Sequence, residues 1–356
     1  MILLLFLFYF LPWNATGTEM GSIGEPLAFA DSGLFDEESI LQLTITGAVN
    51  KLIQDRSDAA KAHPVTLVYE GPDGPQSLSL KMKTRGNFRR TQGNCTYPPL
   101  SMDFTGQPVD KGLFAGKKKL KLVMPCRGED YVVREYLVYK LHNLFGPKSY
   151  KVRMVHIQFR EEGNSKKDFS VTGYLLEEDE AMAARNEATL ITKRMMRPEN
   201  TAPRDFVRMA LFEYMIGNTD WSVQYLHNVR LLAIPGEKPV PVPYDFDHSG
   251  LVDAPYAKPS EALGLRSVTE RRYRGYCMAD DSLIREVLTE FTSRENEIMA
   301  TVDRQPWQEK NTPETIKKYL GGFFEIIRNE KKWTEAVRYP CDKNGTGNVV
   351  VKGLKE

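Results

Sequence analysis

Hydrophobic periodicity divides the chain into a strand-rich first half and a helix-rich second half. The clearest strand is residues 76–83, where apolar side chains occupy every second position. Turn residues at 72–75 precede it and predict a hairpin with a strand at 63–68. Residues 36–56 fit either one long strand or a strand followed by a short helix. Further strands are predicted at 99–104, 119–123, 150–160 and 169–176, with a helix at 134–145 among them.

The second half has mainly helical spacing. An amphipathic helix at 203–216 runs directly into Gly217, and further helices are predicted at 281–302 and 313–333. A short apolar strand at 229–234 lies between these helices. We therefore predict an α+β protein with a β-rich N-terminal lobe at 25–178 and a mainly helical C-terminal lobe at 179–340.

The stretch 217–250 carries the most chemistry. Asp220 lies in a polar turn, Asn228 follows it, and Asp245 and Asp247 come after a short strand and a Pro/Gly loop. Carboxylates on either side of a short hairpin can converge on one cation, because hard divalent ions prefer oxygen ligands. Phosphoryl transfer needs such a set, together with an acid that orients the attacking hydroxyl. The alternative is an ordinary loop–strand–loop whose acids cap turns.

The N-terminus has the pattern of a signal peptide. Residues 1–12 are almost continuously apolar, and 15–17 form a small-x-small cleavage site. A signal peptide at 1–17 predicts a secreted, periplasmic or cell-envelope protein; the alternative is a membrane-anchored N-terminus. Nothing later is apolar enough for a stable membrane span. Residues 341–356 are predicted to be an exposed tail.

The 4 cysteines are spaced too widely for a zinc site. Export would allow two disulfides. We favour Cys95–Cys126 and Cys277–Cys341, because each pair falls within one predicted lobe. Buried free thiols are the alternative.

Composition narrows the class of protein. Over 356 residues the apolar fraction is 41%, which is normal for a globular protein with a core, and the formal net charge is +1. A charge so close to zero gives no reason to expect a nucleic-acid partner.

Six short motifs occur in one order between about residues 77 and 250: TRGN at 84–87, FAGKK at 114–118, REYLVYKL at 134–141, GYLLEE at 173–178, the Asn218/Asp220 turn, and PYDFD at 243–247. In this series the chain resembles the CotH spore-coat kinase family. The resemblance implies a two-lobed, atypical protein-kinase-like fold. It also implies ATP and Mg²⁺ (or Mn²⁺) as cofactors, and a protein substrate with a Ser or Thr acceptor.

The resemblance also implies a role for each matching residue. Asp220 falls on the catalytic acid, Asp245 on the metal-binding acid, and Asn228 on the second metal ligand, with Asp247 assisting or capping a turn. On the nucleotide side, Lys121 is preferred over Lys119 as the phosphate-binding lysine, held by Glu135, although either lysine could instead lie on a solvated strand face. Two further positions complete the nucleotide site: Arg85 beside phosphate, and the backbone near Glu177 beside adenine.

Two functions of different classes fit these residues. The first is an exported kinase that transfers the ATP γ-phosphate to an envelope or secreted protein. The second is a kinase-like protein that has lost catalysis and serves as a structural or binding component of an extracellular assembly. The presence of Asp220, Asn228 and Asp245 together favours the first.

Overall fold

The computed structural model describes residues 33–278 and 280–337. Its first half is built from seven strands and two helices. In chain order these are β1 Leu41–Gly47, α1 Val49–Gln54, β2 His63–Gly71, β3 Gly74–Thr84, β4 Leu100–Asp103, β5 Lys119–Val123, α2 Glu129–Asn143, β6 Val152–Glu161 and β7 Phe169–Leu176.

These seven strands form a closed barrel, in the order β1-β2-β3-β4-β5-β7-β6. Neighbours are antiparallel except at the closure, where β1 pairs in parallel with β6 from Leu41↔Val155 to Gly47↔Glu161. The predicted two-lobed kinase-like fold is therefore wrong, because a closed barrel is not the sheet of a kinase N-lobe. The local pattern of each strand was sufficient to identify the strand but contained nothing about the pairing of β1 with β6.

Alternate side chains of the strands fill the barrel, as a period of two requires. They form one hydrophobic cluster, which includes Leu43, Ile45, Leu67, Leu80, Met82, Met102, Leu120, Leu122, Ile157 and Phe159. Helix α2 belongs to the second hydrophobic cluster and packs against β6 and β7 from outside. It therefore lies between the barrel and the helical half.

The second half contains a small sheet and a set of helices. Its elements are α3 Asp179–Arg185, β8 Thr189–Ile191, α4 Pro203–Ile216, β9 Val229–Ala233, β10 Val240–Pro243, α5 Ser282–Ser293, α6 Glu295–Asp303, α7 Thr312–Ile327 and α8 Glu330–Val337. The order of the sheet is β10-β9-β8. Two predicted long helices, 281–302 and 313–333, are each two helices, and α2 begins five residues earlier than the predicted 134.

The disulfide prediction is confirmed for one pair. Cys95 and Cys126 are bonded, with their Cα atoms 4.3 Å apart. The second pairing stays a prediction, because Cys341 lies outside the described residues, as do the predicted signal peptide at 1–17 and the tail at 341–356. Within the described residues, no helix has both the length and the apolar character that a membrane crossing requires.

Candidate functional site

The turn that carries Asp220 begins where α4 ends. Gly217 ends the helix in the left-handed conformation (φ 69°), and a Cβ at this position would collide with the Tyr319 hydroxyl. Asn218 then accepts a hydrogen bond from the Asp220 backbone N–H at 3.0 Å through its Oδ1. The chain after the acidic pair returns to this point, since Gly250 N donates to Gly217 O at 3.1 Å. The turn and the acidic loop are thus held side by side.

The hairpin of β9 and β10 brings three of the predicted residues to one place. The Asn228 Nδ2 donates to the Asp220 backbone oxygen at 2.8 Å and to its Oδ2 at 3.1 Å. The backbone oxygen of Asn228 accepts a hydrogen bond from the Tyr244 backbone N–H at 3.0 Å. Asp245 is the residue after Tyr244. Asn228 thus contacts Asp220 directly and is hydrogen-bonded to the residue before Asp245.

The Asp220 carboxylate is nearly buried and well held. Its Oδ1 lies 2.9 Å from His227 Nε2, and its other oxygen accepts the Asn228 amide. Because the amide nitrogen of Asn228 is committed to Asp220, the amide oxygen is its candidate ligand atom. The sequence prediction did not include His227 as a partner of Asp220.

A second group of acids lies beside this arrangement. Ligand oxygens of Glu135, Asp245 and Asp247 lie within 4.8 Å of one another. One guanidinium, from Arg89, contacts all three. Its Nη2 lies 2.8 Å from each Glu135 oxygen and 3.6 Å from Asp245 Oδ1, and its Nε donates to Asp247 Oδ2 at 2.8 Å. We call these four residues the acid cluster.

Exposure differs sharply within the acid cluster. The side chains of Arg89, Glu135 and Asp247 are 10%, 4% and 7% exposed, whereas that of Asp245 is 50% exposed. Asp245 also has a positive φ of 61°, and its backbone N–H donates to the Tyr139 hydroxyl at 2.9 Å. A non-glycine residue held in this strained region is a common feature of functional sites. Asp245 is the solvent-facing member of the cluster.

Charge crowding shifts the pKa values in the acid cluster. Burial raises the pKa of Glu135 to about 7, with the neighbouring aspartates adding to the effect and Arg89 opposing it. Burial and the Asp247 charge also raise the pKa of Asp245, although water reaches half of its side chain and screens this shift. Burial opposes ionisation of Asp247 too, but Arg89 and the Tyr256 hydroxyl lower its pKa.

These residues fit a hard divalent cation. Three carboxylates share one guanidinium, and the side chain of Asp245 faces solvent. Carboxylate and amide oxygens are the ligands that Mg²⁺ takes in proteins. Asp247 Oδ2 is already shared by Arg89 and by the Tyr256 hydroxyl at 3.0 Å, which leaves Asp245 as the principal ligand.

The predicted phosphate lysine is paired with acids other than Glu135. Lys121 is buried, and its Nζ lies 2.5 Å from Asp179 Oδ1 and 3.9 Å from Glu178, while Glu135 pairs with Arg89. Asp179 in turn accepts from Arg230 Nε at 2.7 Å and from the Tyr150 hydroxyl at 3.0 Å. Lys119, on the same strand, is exposed.

The two other predicted nucleotide positions, Glu177 and Arg85, differ in their contacts. Glu177 N donates to Lys151 O at 3.1 Å, and its carboxylate pairs with Arg185 at 2.9 Å, so both groups are already engaged. Arg85 is half-buried, and its charge lowers the pKa of both Glu178 and Asp245, against the burial that raises them. The Arg85 charge therefore acts on both the start of α3 and the acid cluster.

Sequence reasoning missed the roles of Arg89, Asp179 and Arg230. Arg89 lies in the loop that follows the TRGN motif, between β3 and β4. Its pairing with Glu135 spans 46 residues, so no local spacing indicates it. The one available signal was an excess of acids in the site without a matching cation.

Comparisons with known proteins add little to this geometry. No protein-family model matches the chain, and no curated protein matches it. Among solved structures, the chain is similar to a proinflammatory kinase from Helicobacter pylori, CtkA. The identity is 11%, the TM-score is 0.39, and the match covers 70% of this chain and 94% of that chain. Similarity at this level is weak and establishes neither fold nor activity. The resemblance to the CotH family stays a prediction.

Proposed function

We propose that this chain is a divalent-cation-dependent phosphotransferase that uses a nucleotide donor. The observation that carries the proposal is the hairpin that joins Asp220 and Asn228 to a half-exposed Asp245 backed by Asp247. An acid beside an amide and a second, solvent-facing acid is the set that phosphoryl transfer needs. The proposal does not depend on a kinase fold.

Each residue has a distinct role in this proposal. Asp245, with the Asn228 amide oxygen, binds the cation, and Asp247 supports Asp245 from behind. The bound cation neutralises charge on the donor phosphates. Asp220 orients the acceptor hydroxyl, and its contacts with His227 and Asn228 fix the direction of its carboxylate.

We place the donor nucleotide beside Arg85, on the solvent-facing side of Asp245. Arg85 acts electrostatically on both Glu178 and Asp245, and we assign to it the contact with phosphate. Lys121 lies beside Asp179 and Glu178. We propose ATP as donor, a Ser or Thr hydroxyl of an exported protein as acceptor, and an extracytoplasmic location.

A second candidate is a binding protein that has lost catalysis. Lys121 is committed to Asp179, and the Asp220 carboxylate is only 9% exposed. A chain that binds a cation and nucleotide without transfer would show these features as well. Binding and transfer must therefore be measured separately.

Thermal unfolding with ATP and Mg²⁺ tests the proposal. A ligand that binds only the folded state at about 100 times its dissociation constant stabilises by about 2.7 kcal/mol. We expect ATP with Mg²⁺ to raise the Tm and ATP with EDTA to have little effect. Transfer of labelled phosphate to the chain itself or to a generic protein acceptor then separates the two candidates.

Matched variants assign the effect to the site. Asp245→Asn should remove both the Tm increase and the phosphate transfer. Asp58→Asn is the control, because Asp58 is a fully exposed carboxylate that pairs with Arg90 on the same loop as Arg89. A wild-type Tm unchanged by every nucleotide and divalent ion tested would refute the proposal.

A further inference from the structure

The basic group beside the candidate cation site comes from a loop and not from a strand. Arg89 lies between β3 and β4, and its guanidinium uses two edges at once: Nε donates to Asp247 Oδ2, and Nη2 donates to both oxygens of Glu135, all at 2.8 Å. A planar guanidinium can hold two carboxylates at a fixed angle, whereas an ammonium acts as a point charge.

Burial places Arg89 behind the solvent-facing acid. Its side chain is 10% exposed, similar to those of Glu135 and Asp247, while Asp245 is 50% exposed at 3.6 Å from Arg89 Nη2. Arg89 is therefore too deeply buried to block access of solvent ions to Asp245 from the surface. It contacts two buried acids, Glu135 and Asp247, and lies 3.6 Å from the solvent-facing Asp245.

The loop that carries Arg89 is anchored at several points. The Cys95–Cys126 disulfide ties it to the segment just before α2, the helix that carries Glu135. Arg56 Nη1 donates to Cys95 O at 2.8 Å, and Asn94 Nδ2 donates to Phe88 O at 2.9 Å. These contacts restrict the position from which Arg89 reaches the acid cluster.

We propose that Arg89 is a positioning residue that fixes Asp247 and Asp245 in the arrangement that binds the divalent cation. The inference rests on the cation site of the proposed function. Without the guanidinium, three neighbouring carboxylates repel one another, and they separate or take up protons. Either response removes the arrangement in which Asp245 faces solvent with Asp247 behind it.

The opposing possibility is that Arg89 merely competes with the cation. A positive charge 3.6 Å from Asp245 also repels a divalent ion, so its removal would then strengthen binding. The two roles predict opposite signs for Arg89→Met, and only the positioning role predicts weaker binding for Arg89→Lys. Arg89→Lys is the sharper of these, because it keeps the charge and removes the fork.

The test is a measurement of Mn²⁺ binding to the full chain without nucleotide. Electron paramagnetic resonance reports the concentration of free Mn²⁺. We expect Arg89→Lys to raise the Mn²⁺ dissociation constant by at least about tenfold and Arg89→Met by at least as much. Arg90→Lys is the matched control with an unchanged constant, since Arg90 is adjacent in sequence but pairs with Asp58 and backbone carbonyls. Circular dichroism of each variant, at the temperature of the binding measurement, restricts the comparison to folded protein.

Each outcome has one meaning. Tighter binding by Arg89→Met, or an unchanged constant in Arg89→Lys, overturns the positioning role while the cation site stands. If Arg89→Lys lowers the Tm but leaves the Mn²⁺ dissociation constant unchanged, Arg89 has a purely structural role. That result also overturns the positioning role. If wild type binds no Mn²⁺ without nucleotide, the positioning role is overturned, whereas the proposed function is decided separately by thermal unfolding with nucleotide and Mg²⁺. If Arg89→Met does not fold, Arg89→Lys alone decides between the two roles.

Discussion

Two buried ionic clusters contain predicted site residues, and they differ in charge balance. The acid cluster has three carboxylates around Arg89. The other, which we call the Asp179 cluster, has Asp179 between Lys121 and Arg230, at 2.5 and 2.7 Å, with Glu178 3.9 Å from Lys121. The first carries excess negative charge, whereas the second has two cations and two acids.

The pKa values of Glu135 and Asp179 show the effect of this difference in charge balance. Burial raises the pKa of Glu135 to about 7, because the attraction of Arg89 does not offset the cost of burial and the repulsion from Asp247 and Asp245. Burial acts on Asp179 in the same direction, yet two cations lower its pKa to about 2. Similar burial thus gives opposite shifts, depending on how many cations each acid has. We infer that the acid cluster can accept a further cation, and that the Asp179 cluster holds the barrel to the helical half.

The largest expected effect separates a reacting acid from an anchoring acid. Asp220→Asn should lower kcat by about 10²–10⁴-fold while leaving the nucleotide dissociation constant unchanged, because the lost interaction belongs to the transition state. Rapid-quench phosphate transfer and equilibrium nucleotide titration measure the two quantities. Loss of nucleotide binding in Asp220→Asn would show that the role assigned to Asp220 is wrong.

The next effect is on stability and concerns the Asp179 cluster. Asp179→Asn leaves Lys121 and Arg230 without their shared carboxylate, and breaking a buried pair in this way costs about 3–5 kcal/mol of unfolding free energy. Urea unfolding at pH 7 measures it. Asp36→Asn is the control, because the Asp36–Lys151 pair is half-exposed and is worth at most about 1 kcal/mol.

A double variant tests whether charge balance is the cause. Lys121→Met combined with Asp179→Asn removes one charge of each sign, so we expect it to recover about half of the loss seen in Asp179→Asn. If the double variant is less stable than Asp179→Asn, packing of the Lys121 stem, and not charge balance, controls this cluster.

The sequence predicted the local parts of this comparison and missed the long-range ones. The hairpin that joins Asn228 to Asp245 could be predicted, because a short strand, a Pro/Gly loop and a second strand are adjacent in the chain. The parallel pairing of β1 with β6 could not, since it joins segments about 110 residues apart and has no local signature. For the same reason Glu135 was given the wrong basic partner. The sequence shows which residues are charged. Which basic residue pairs with which acid depends on the closed barrel.

The smallest expected effect is the pH dependence of the Asp179 cluster. The pKa of Asp179 falls from 3.8 to about 2 on folding, because attraction to Lys121 and Arg230 exceeds the cost of burial. A depressed folded-state pKa contributes stability that is fully present above pH 3.8 and is lost as the pH falls through about 2. The shift corresponds to about 2 kcal/mol, for a side chain that is only 15% exposed. Urea unfolding of wild type and Asp179→Asn between pH 5 and pH 2 measures it. The difference between the two proteins should shrink by about that amount as the pH falls, while the other carboxylates cancel. A difference that stays constant over this range would mean that Asp179 is not held ionised by its two cations, and the contrast between the two clusters would then not arise from charge balance.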